Sequence, residues 1–147
     1  MTIRLHITDQ PSDADCAAVR DGLTAFNVVA TGRPFAKGTG LAVLVRDEKR
    51  QTIGGAIGFT TPYGWAMIDL LWLPEGLRRE GLGRQVMLAA EHEAMARNCI
   101  GIRLDTFSFQ ARGFYEKLGY TVFGTLPDYP PGHTRYWLAK RLDIPKA

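Results

Sequence analysis

Leu71-Trp72-Leu73-Pro74-Glu75-Gly76-Leu77-Arg78-Arg79-Glu80-Gly81-Leu82-Gly83-Arg84 ends an apolar run at a proline and crosses a basic loop with two spaced glycines. It then re-enters an apolar pattern with the period of a helix. Strand, glycine loop and helix start in that order make an anion site. The amides of the loop and of the first helical turn have no intrahelical acceptor, and the helix dipole adds positive potential there. Gly81 and Gly83 let the backbone come close to a phosphate with no Cβ in the way, while Arg78, Arg79 and Arg84 add formal charge. The loop is therefore read as a pyrophosphate holder. It is not a Walker A loop, since no Gly-Lys-Ser/Thr follows, and Val86 stands where a dinucleotide fingerprint needs its third glycine.

Working outward, Trp65 to Leu73 is an almost wholly apolar strand with Asp69 as its single charge, a pattern expected of a central strand covered on both faces. Before it, Leu41 to Val45, the charged turn Arg46 to Arg50, and Ile53 to Thr60 read as a hairpin. Earlier still, Ile3, Leu5 and Ile7 alternate with Arg4 and His6 as a half-buried strand. Ser12 is an N-cap with Asp15 three residues on, opening a helix through Ala17, Val19, Leu23 and Phe26 to the Gly32-Arg33-Pro34 break. After the loop, a helix runs from Gly81 or Leu82 to about Asn98, with Leu82, Val86, Ala89 and Ala90 as its apolar stripe. Then come a strand from Ile100 to Thr106, a short helix from Gln110 to Leu118 stopped by Gly119, and a strand from Tyr120 to Leu126. A last strand spans Thr134 to Leu142, and the tail Asp143 to Ala147 is expected to be loose. The order β-α-β-β-β-α-β-α-β-β predicts an α/β (α+β) fold with a mixed sheet, helices on both faces, and one domain over residues 1–147. Helices and strands do not alternate strictly, which disfavours a doubly wound Rossmann domain.

Composition narrows the partners. Eighteen basic against fifteen acidic side chains leave a net charge of +3, which favours anionic ligands but does not make a nucleic-acid surface. No apolar run approaches the ~20 residues that span a bilayer, and the first residues carry no signal-peptide core, so a cytoplasmic protein with no membrane partner is expected. Cys16 and Cys99 read as reduced thiols. His6, His92 and His133 have no metal-ligand spacing, so no metal is expected.

A second constellation gives the loop an owner. The Arg-x-x-Gly-x-Gly of Arg78 to Gly83 is followed, beyond an intervening strand, by Phe114-Tyr115-Glu116-Lys117-Leu118-Gly119-Tyr120. This pair in this order resembles the GNAT superfamily of acetyl-CoA-dependent N-acetyltransferases, over Trp65 to about Gly124. The resemblance implies the GNAT acyl-CoA N-acyltransferase fold, with acetyl-CoA as cosubstrate. Leu71, Trp72 and Leu73 would pair their backbone with the pantetheine arm. Arg78, Arg79, Gly81, Leu82, Gly83 and Arg84 would hold the pyrophosphate. Tyr115 would protonate the departing thiolate, and Ser108 stands where many members carry an asparagine that contacts the pantetheine. A homodimer is a habit of the family.

The chemistry also needs a neutral amine, and so an acceptor for the proton of an ammonium. Some relatives place a Glu in the strand before the loop, at the position of Met67. Asp69 lies two residues on and projects to the same face if no bulge intervenes. As the one charge in a buried run it is the candidate base, with a structural aspartate as the competing reading. Glu75 and Asp105 rank behind it, and a water wire could also serve. His133, Asp128, Tyr129 and Arg135 read equally as acceptor-pocket lining or as surface loop. The sequence thus implies direct attack of a primary amine on acetyl-CoA, with the acceptor open among small and protein amines. The alternative is a non-catalytic CoA-binding module on the same fold.

Overall fold

Two reciprocal hydrogen bonds start the first helix. Ser12 Oγ accepts from the Asp15 amide at 3.1 Å, and the Ser12 amide donates to Asp15 Oδ2 at 3.0 Å, the capping box its spacing predicts. Helix α1 (Asp13–Thr31) ends where Gly32 turns left-handed at φ 66°. The computed structural model describes residues 1–144, which divide into two compact units, Met1–Ala36 and a second that begins at Lys37. The strand expected over Ile3 to Ile7 is not formed: these residues have no regular structure, and Ile3, Leu5 and Ile7 are exposed. Alternation marks a strand-competent segment, but a strand exists only where a ladder partner takes its hydrogen bonds.

The second unit carries β1 (Thr39–Arg46), β2 (Thr52–Thr60), β3 (Trp65–Trp72), α2 (Leu82–Ala96), β4 (Gly101–Phe107), α3 (Arg112–Lys117), β5 (Thr121–Pro127) and β6 (Thr134–Arg141). The strands form one six-stranded mixed sheet in the order β1-β2-β3-β4-β6-β5, with β3 and β4 parallel and every other pair antiparallel. Helix α3 is shorter than Gln110 to Leu118: its N-cap is Ala111, and Gln110 belongs to the turn after β4, which its side chain closes. Gln110 Oε1 accepts from the Phe107 amide at 2.8 Å and from Thr106 Oγ1 at 3.1 Å. Beyond β6, Asp143 is not loose but paired to Arg141 at 2.7 Å; the tail expected from residue 145 onward lies outside the described residues.

Within this unit α2 and α3 share one core with a single sheet face: Ile68, Ile102, Leu104 and Leu138 meet Val86, Met87, Ala90 and Tyr115. The buried stripe of α2 is Val86, Met87, Ala90, Glu91 and Ala94, rotated from the predicted one: Ala89 is exposed. A 3.6-residue period through Met87, Ala90 and Ala94 takes in Glu91, which apolar residues alone could not reveal. Glu91 is 4% exposed and fully partnered. Tyr120 Oη donates to its Oε1 at 3.0 Å, and Lys140 Nζ donates to both its oxygens at 3.0 Å. This cluster ties α2 to β6 and to the turn after α3, beneath the Tyr115 ring, whose centroid lies 5.9 Å from that of Tyr120.

Candidate active site

The site begins where β3 loses one neighbour. On one edge β3 stays paired to β2 as far as Trp72 opposite Gly55, but its parallel ladder with β4 stops at Ile68 opposite Leu104. The β4-side edge of Leu70 to Trp72 and the facing edge of Asp105 to Phe107 are thus left without strand partners. An extended ligand could use such backbone edges. The expected cover on both faces of β3 is not met in this unit: Leu70 is 64% and Trp72 59% exposed, whereas Leu73 is buried.

A bulge makes the split. Ile57 pairs with Leu70 and Gly58 with Ile68, so Asp69 is the extra residue. A Cβ on Gly58 would overlap the Met67 carbonyl oxygen, so a glycine is required for β2 to approach here. Leu70, not Asp69, therefore continues the Met67 face, and Asp69 is exposed. Burial, the ground on which Asp69 reads as the base, is therefore absent, and its side chain stands at the mouth of the split.

From Trp72 the chain passes Pro74 and a single 3-10 turn (Glu75–Leu77) into the glycine loop. Arg78 Nε donates to the Leu73 carbonyl at 2.8 Å, so this guanidinium closes the loop onto the end of β3. Arg79 and Gly81 both take left-handed backbone, at φ 72° and 76°. Such residues between right-handed or extended ones curl successive amides around a concavity that suits anions. Gly81 is the cap of α2, with no side-chain cap, and the first backbone bond into the helix is Gln85 N to Gly81 O at 3.1 Å. Among the described residues, the amides from Arg79 to Arg84 therefore take no backbone acceptor. Arg79 and Arg84 are exposed beside them.

The same loop touches the Phe-Tyr helix. A Cβ on Gly83 would lie 3.2 Å from Phe114 Cζ and 3.6 Å from Leu73 Cδ1, so the absent side chain lets α2, α3 and the end of β3 converge. The Phe114 ring meets the Tyr115 ring edge-on at 5.1 Å. Tyr115 is 6% exposed, yet no fully buried side-chain polar atom among the described residues lacks a partner, and its hydroxyl makes no hydrogen bond to protein there. The ring is thus in the core while its oxygen reaches accessible space. Burial, and secondarily the negative charge of Asp105, push its pKa up to about 12. It is a phenol held in its proton-donating form.

Across the split, the end of β4 and the start of β6 carry a polar and aromatic group of side chains. Ser108 Oγ accepts from the Thr134 amide at 3.0 Å and lies 3.3 Å from His133 Nδ1, while the His133 ring meets Phe109 edge-on at 4.8 Å. Asp105 Oδ2 accepts from Arg135 Nε at 2.8 Å, and Arg135 Nη2 lies 2.7 Å from the same oxygen. The Arg135 guanidinium also stacks on Trp137, Tyr129 and Phe107, at 4.9, 5.1 and 5.3 Å from the ring centroids. Of the residues with a dual reading, Tyr129, His133 and Arg135 join this group. Glu75 sits apart, exposed in the 3-10 turn.

The sequence missed two arrangements. The Asp105–Arg135 pair joins residues thirty positions apart. Only the register of β4 against β6, which sets Asp105 opposite Trp137 and Phe107 opposite Arg135, brings them to one face. The Glu91–Tyr120–Lys140 cluster left one signal, a glutamate in step with the apolar period of its helix. Two open grooves lie on the sheet face away from α2. One, of about 560 Å³, is lined by Leu44, Ile57, Leu70, Trp72 and Pro74 among others; the other, of about 330 Å³, by Trp65, Arg103, Phe123 and Ala139. Neither is lined by the glycine loop or Tyr115.

Comparison with known proteins bears on the family and the fold. The model of the Acetyltransferase (GNAT) family matches residues 16–120. A blasticidin-S acetyltransferase of Streptomyces morookaense is 41% identical over 96 residues, covering 65% of this chain and 70% of that protein. The acetyltransferase Atu2258 of Agrobacterium fabrum is 34% identical over 124 residues, 84% of this chain and 88% of that one. The crystal structure of a candidate acetyltransferase from Agrobacterium tumefaciens superposes with a TM-score of 0.81 at 31% identity, covering 95% and 99% of the two chains.

Proposed function

The chain belongs to the GNAT acetyltransferase family, and from that premise we propose that it transfers the acetyl group of acetyl-CoA to a primary amine by direct attack, in the cytoplasm, with residues 1–147 working as one domain. One observation carries the reading. The unpartnered amides of Arg79 to Arg84 lie on a loop that packs, through Gly83 and Phe114, against the helix bearing a protonated phenol. The amides, with Arg79 and Arg84, would hold the pyrophosphate; the free edge of Leu71 to Leu73 would align the pantetheine; Ser108 would meet it from the facing strand.

The acceptor ammonium first gives a proton to Asp69, or through water to solvent. The neutral nitrogen then forms its bond to the thioester carbonyl carbon. As the tetrahedral adduct collapses, the carbon–sulfur bond breaks with its electron pair on sulfur, and Tyr115 donates a proton to that sulfur. The phenolate recovers its proton from the new amide nitrogen, so the turnover releases amide, free CoA and one proton from the ammonium. Burial suits Tyr115 to this: a phenol with a pKa near 12 is protonated at every working pH.

Release of free thiol from acetyl-CoA across a panel of primary amines tests the reading, with blasticidin S included because one relative is named for it. Amine-dependent release is expected. Binding of acetyl-CoA with no release to any amine would instead support the non-catalytic CoA-binding alternative. The loop can be tested separately. Gly81→Val puts a β-branched residue at φ 76°, a backbone conformation that L side chains rarely adopt. The backbone strain alone is about 1–2 kcal/mol, so the Kd for acetyl-CoA should rise about tenfold or more. Gly76→Val, where a Cβ meets nothing within 4 Å and φ is ordinary, should leave it within about twofold.

A further inference from the structure

Asp105 and Arg135 form an ion pair that is neither buried nor freely solvated: their side chains are 27% and 25% exposed. The geometry of the pair is one-sided. Nε donates to Oδ2, and Nη2 lies closest to that same carboxylate oxygen. Among the described residues, Asp105 Oδ1 and Arg135 Nη1 make no hydrogen bond, so one acceptor and one donor remain available, the donor on the side of the guanidinium away from the carboxylate. Three rings hold the guanidinium in this pose, which removes most of the cost of ordering a long side chain and keeps water from one of its faces. The pair lies on the stretch of β4 that has lost β3 as neighbour, facing the split, and its negative charge is felt at the Tyr115 phenol.

A fixed, neutral dipole of this kind discriminates. A ligand bearing only a cation meets a carboxylate already neutralised by Arg135, and one bearing only an anion meets a guanidinium already neutralised by Asp105. A ligand carrying both charges a short distance apart can lie antiparallel to the pair and satisfy both open positions at once. We propose that Asp105 and Arg135 select an acceptor of amino-acid type, a primary amine with a carboxylate one or two carbons away, binding its amino group at Asp105 Oδ1 and its carboxylate at Arg135 Nη1. The amine held at Asp105 would then approach the thioester from the sheet face opposite the one on which Tyr115 packs, so that attacking nitrogen and leaving sulfur are served from the two sides of the split. Phe107, Tyr129 and Trp137 supply the apolar wall that makes both contacts strong. This proposal rests on the acetyltransferase reading above and adds the acceptor class to it.

The test is a set of matched acceptors, each α- or β-amino acid beside its primary amide and its decarboxylated amine, compared by kcat/KM for CoA release. The wild-type protein should prefer the carboxylate-bearing member at least about tenfold. Arg135→Gln should reduce that preference to within about twofold, while the Kd for acetyl-CoA, measured by calorimetry, stays unchanged. Arg135→Lys, which keeps the charge but loses the planar fork, should fall between the two. Equal use of acid and amide by the wild type, a preference that survives Arg135→Gln, or acetyl-CoA binding with no member of the panel acetylated, each overturns the proposal. The wild-type comparison decides even if a variant does not fold. Absence of acetyl-CoA binding would be a failure of the acetyltransferase reading instead, and calorimetry separates the two.

Discussion

Tyr115→Phe is expected to lower kcat by about a hundredfold or more, the usual worth of a positioned general acid, while the Kd for acetyl-CoA stays within about twofold. The ring of Tyr115 is core: it packs on Phe114 and Tyr120 and is 6% exposed, and Phe preserves all of that. Only the hydroxyl is lost, and it makes no hydrogen bond to the described protein, so little stability should go with it. Stopped-flow or steady-state CoA release gives kcat, and calorimetry gives the affinity. The pH profile adds a second reading of the same group. Burial and Asp105 raise its pKa to about 12, so the acid form is lost only as pH climbs toward that value. In the wild type, kcat should show no fall attributable to this phenol below about pH 11. A variant with unchanged kcat would make Tyr115 a packing residue.

Lys140→Met is expected to cost about 3–5 kcal/mol of stability, because it strands the Glu91 carboxylate in the core. Glu91 is 4% exposed, and Lys140 contributes two of its three hydrogen bonds; Tyr120 Oη alone would remain. For a domain whose whole stability is about 5–15 kcal/mol, that is a large share. The double variant Glu91→Gln, Lys140→Met should recover much of the loss, since no charge is then buried. Urea midpoints at constant slope measure both. A single-variant loss below about 1 kcal/mol would mean that water reaches Glu91 and that the cluster is not sealed.

Much of this architecture was legible in the chain. The capping box at Ser12 and Asp15, the hairpin of β1 and β2, the glycine loop and the Phe114-Tyr115 helix all follow from local spacing, because each is decided within a few residues. What could not be read depends on partners distant in sequence. Ile3 to Ile7 alternates like a strand but has no ladder. Asp69 sits in an apolar run like a buried base, yet a bulge set by Gly58 on the neighbouring strand takes it out of register. Arg135 looked equally like a surface residue and a pocket residue until the pairing of β4 with β6 brought it to Asp105. The cofactor loop is a local device, and the acceptor side is a product of sheet register.

The central claim is that the amides of Arg79 to Arg84 hold the pyrophosphate of acetyl-CoA. Titration calorimetry of the intact protein with acetyl-CoA, beside dephospho-CoA, NAD and ATP, tests it most directly. One-site binding of acetyl-CoA and dephospho-CoA is predicted, weakened about tenfold or more by Gly81→Val, with NAD and ATP bound far more weakly. No heat with acetyl-CoA, or equal affinity for all four ligands, would contradict it.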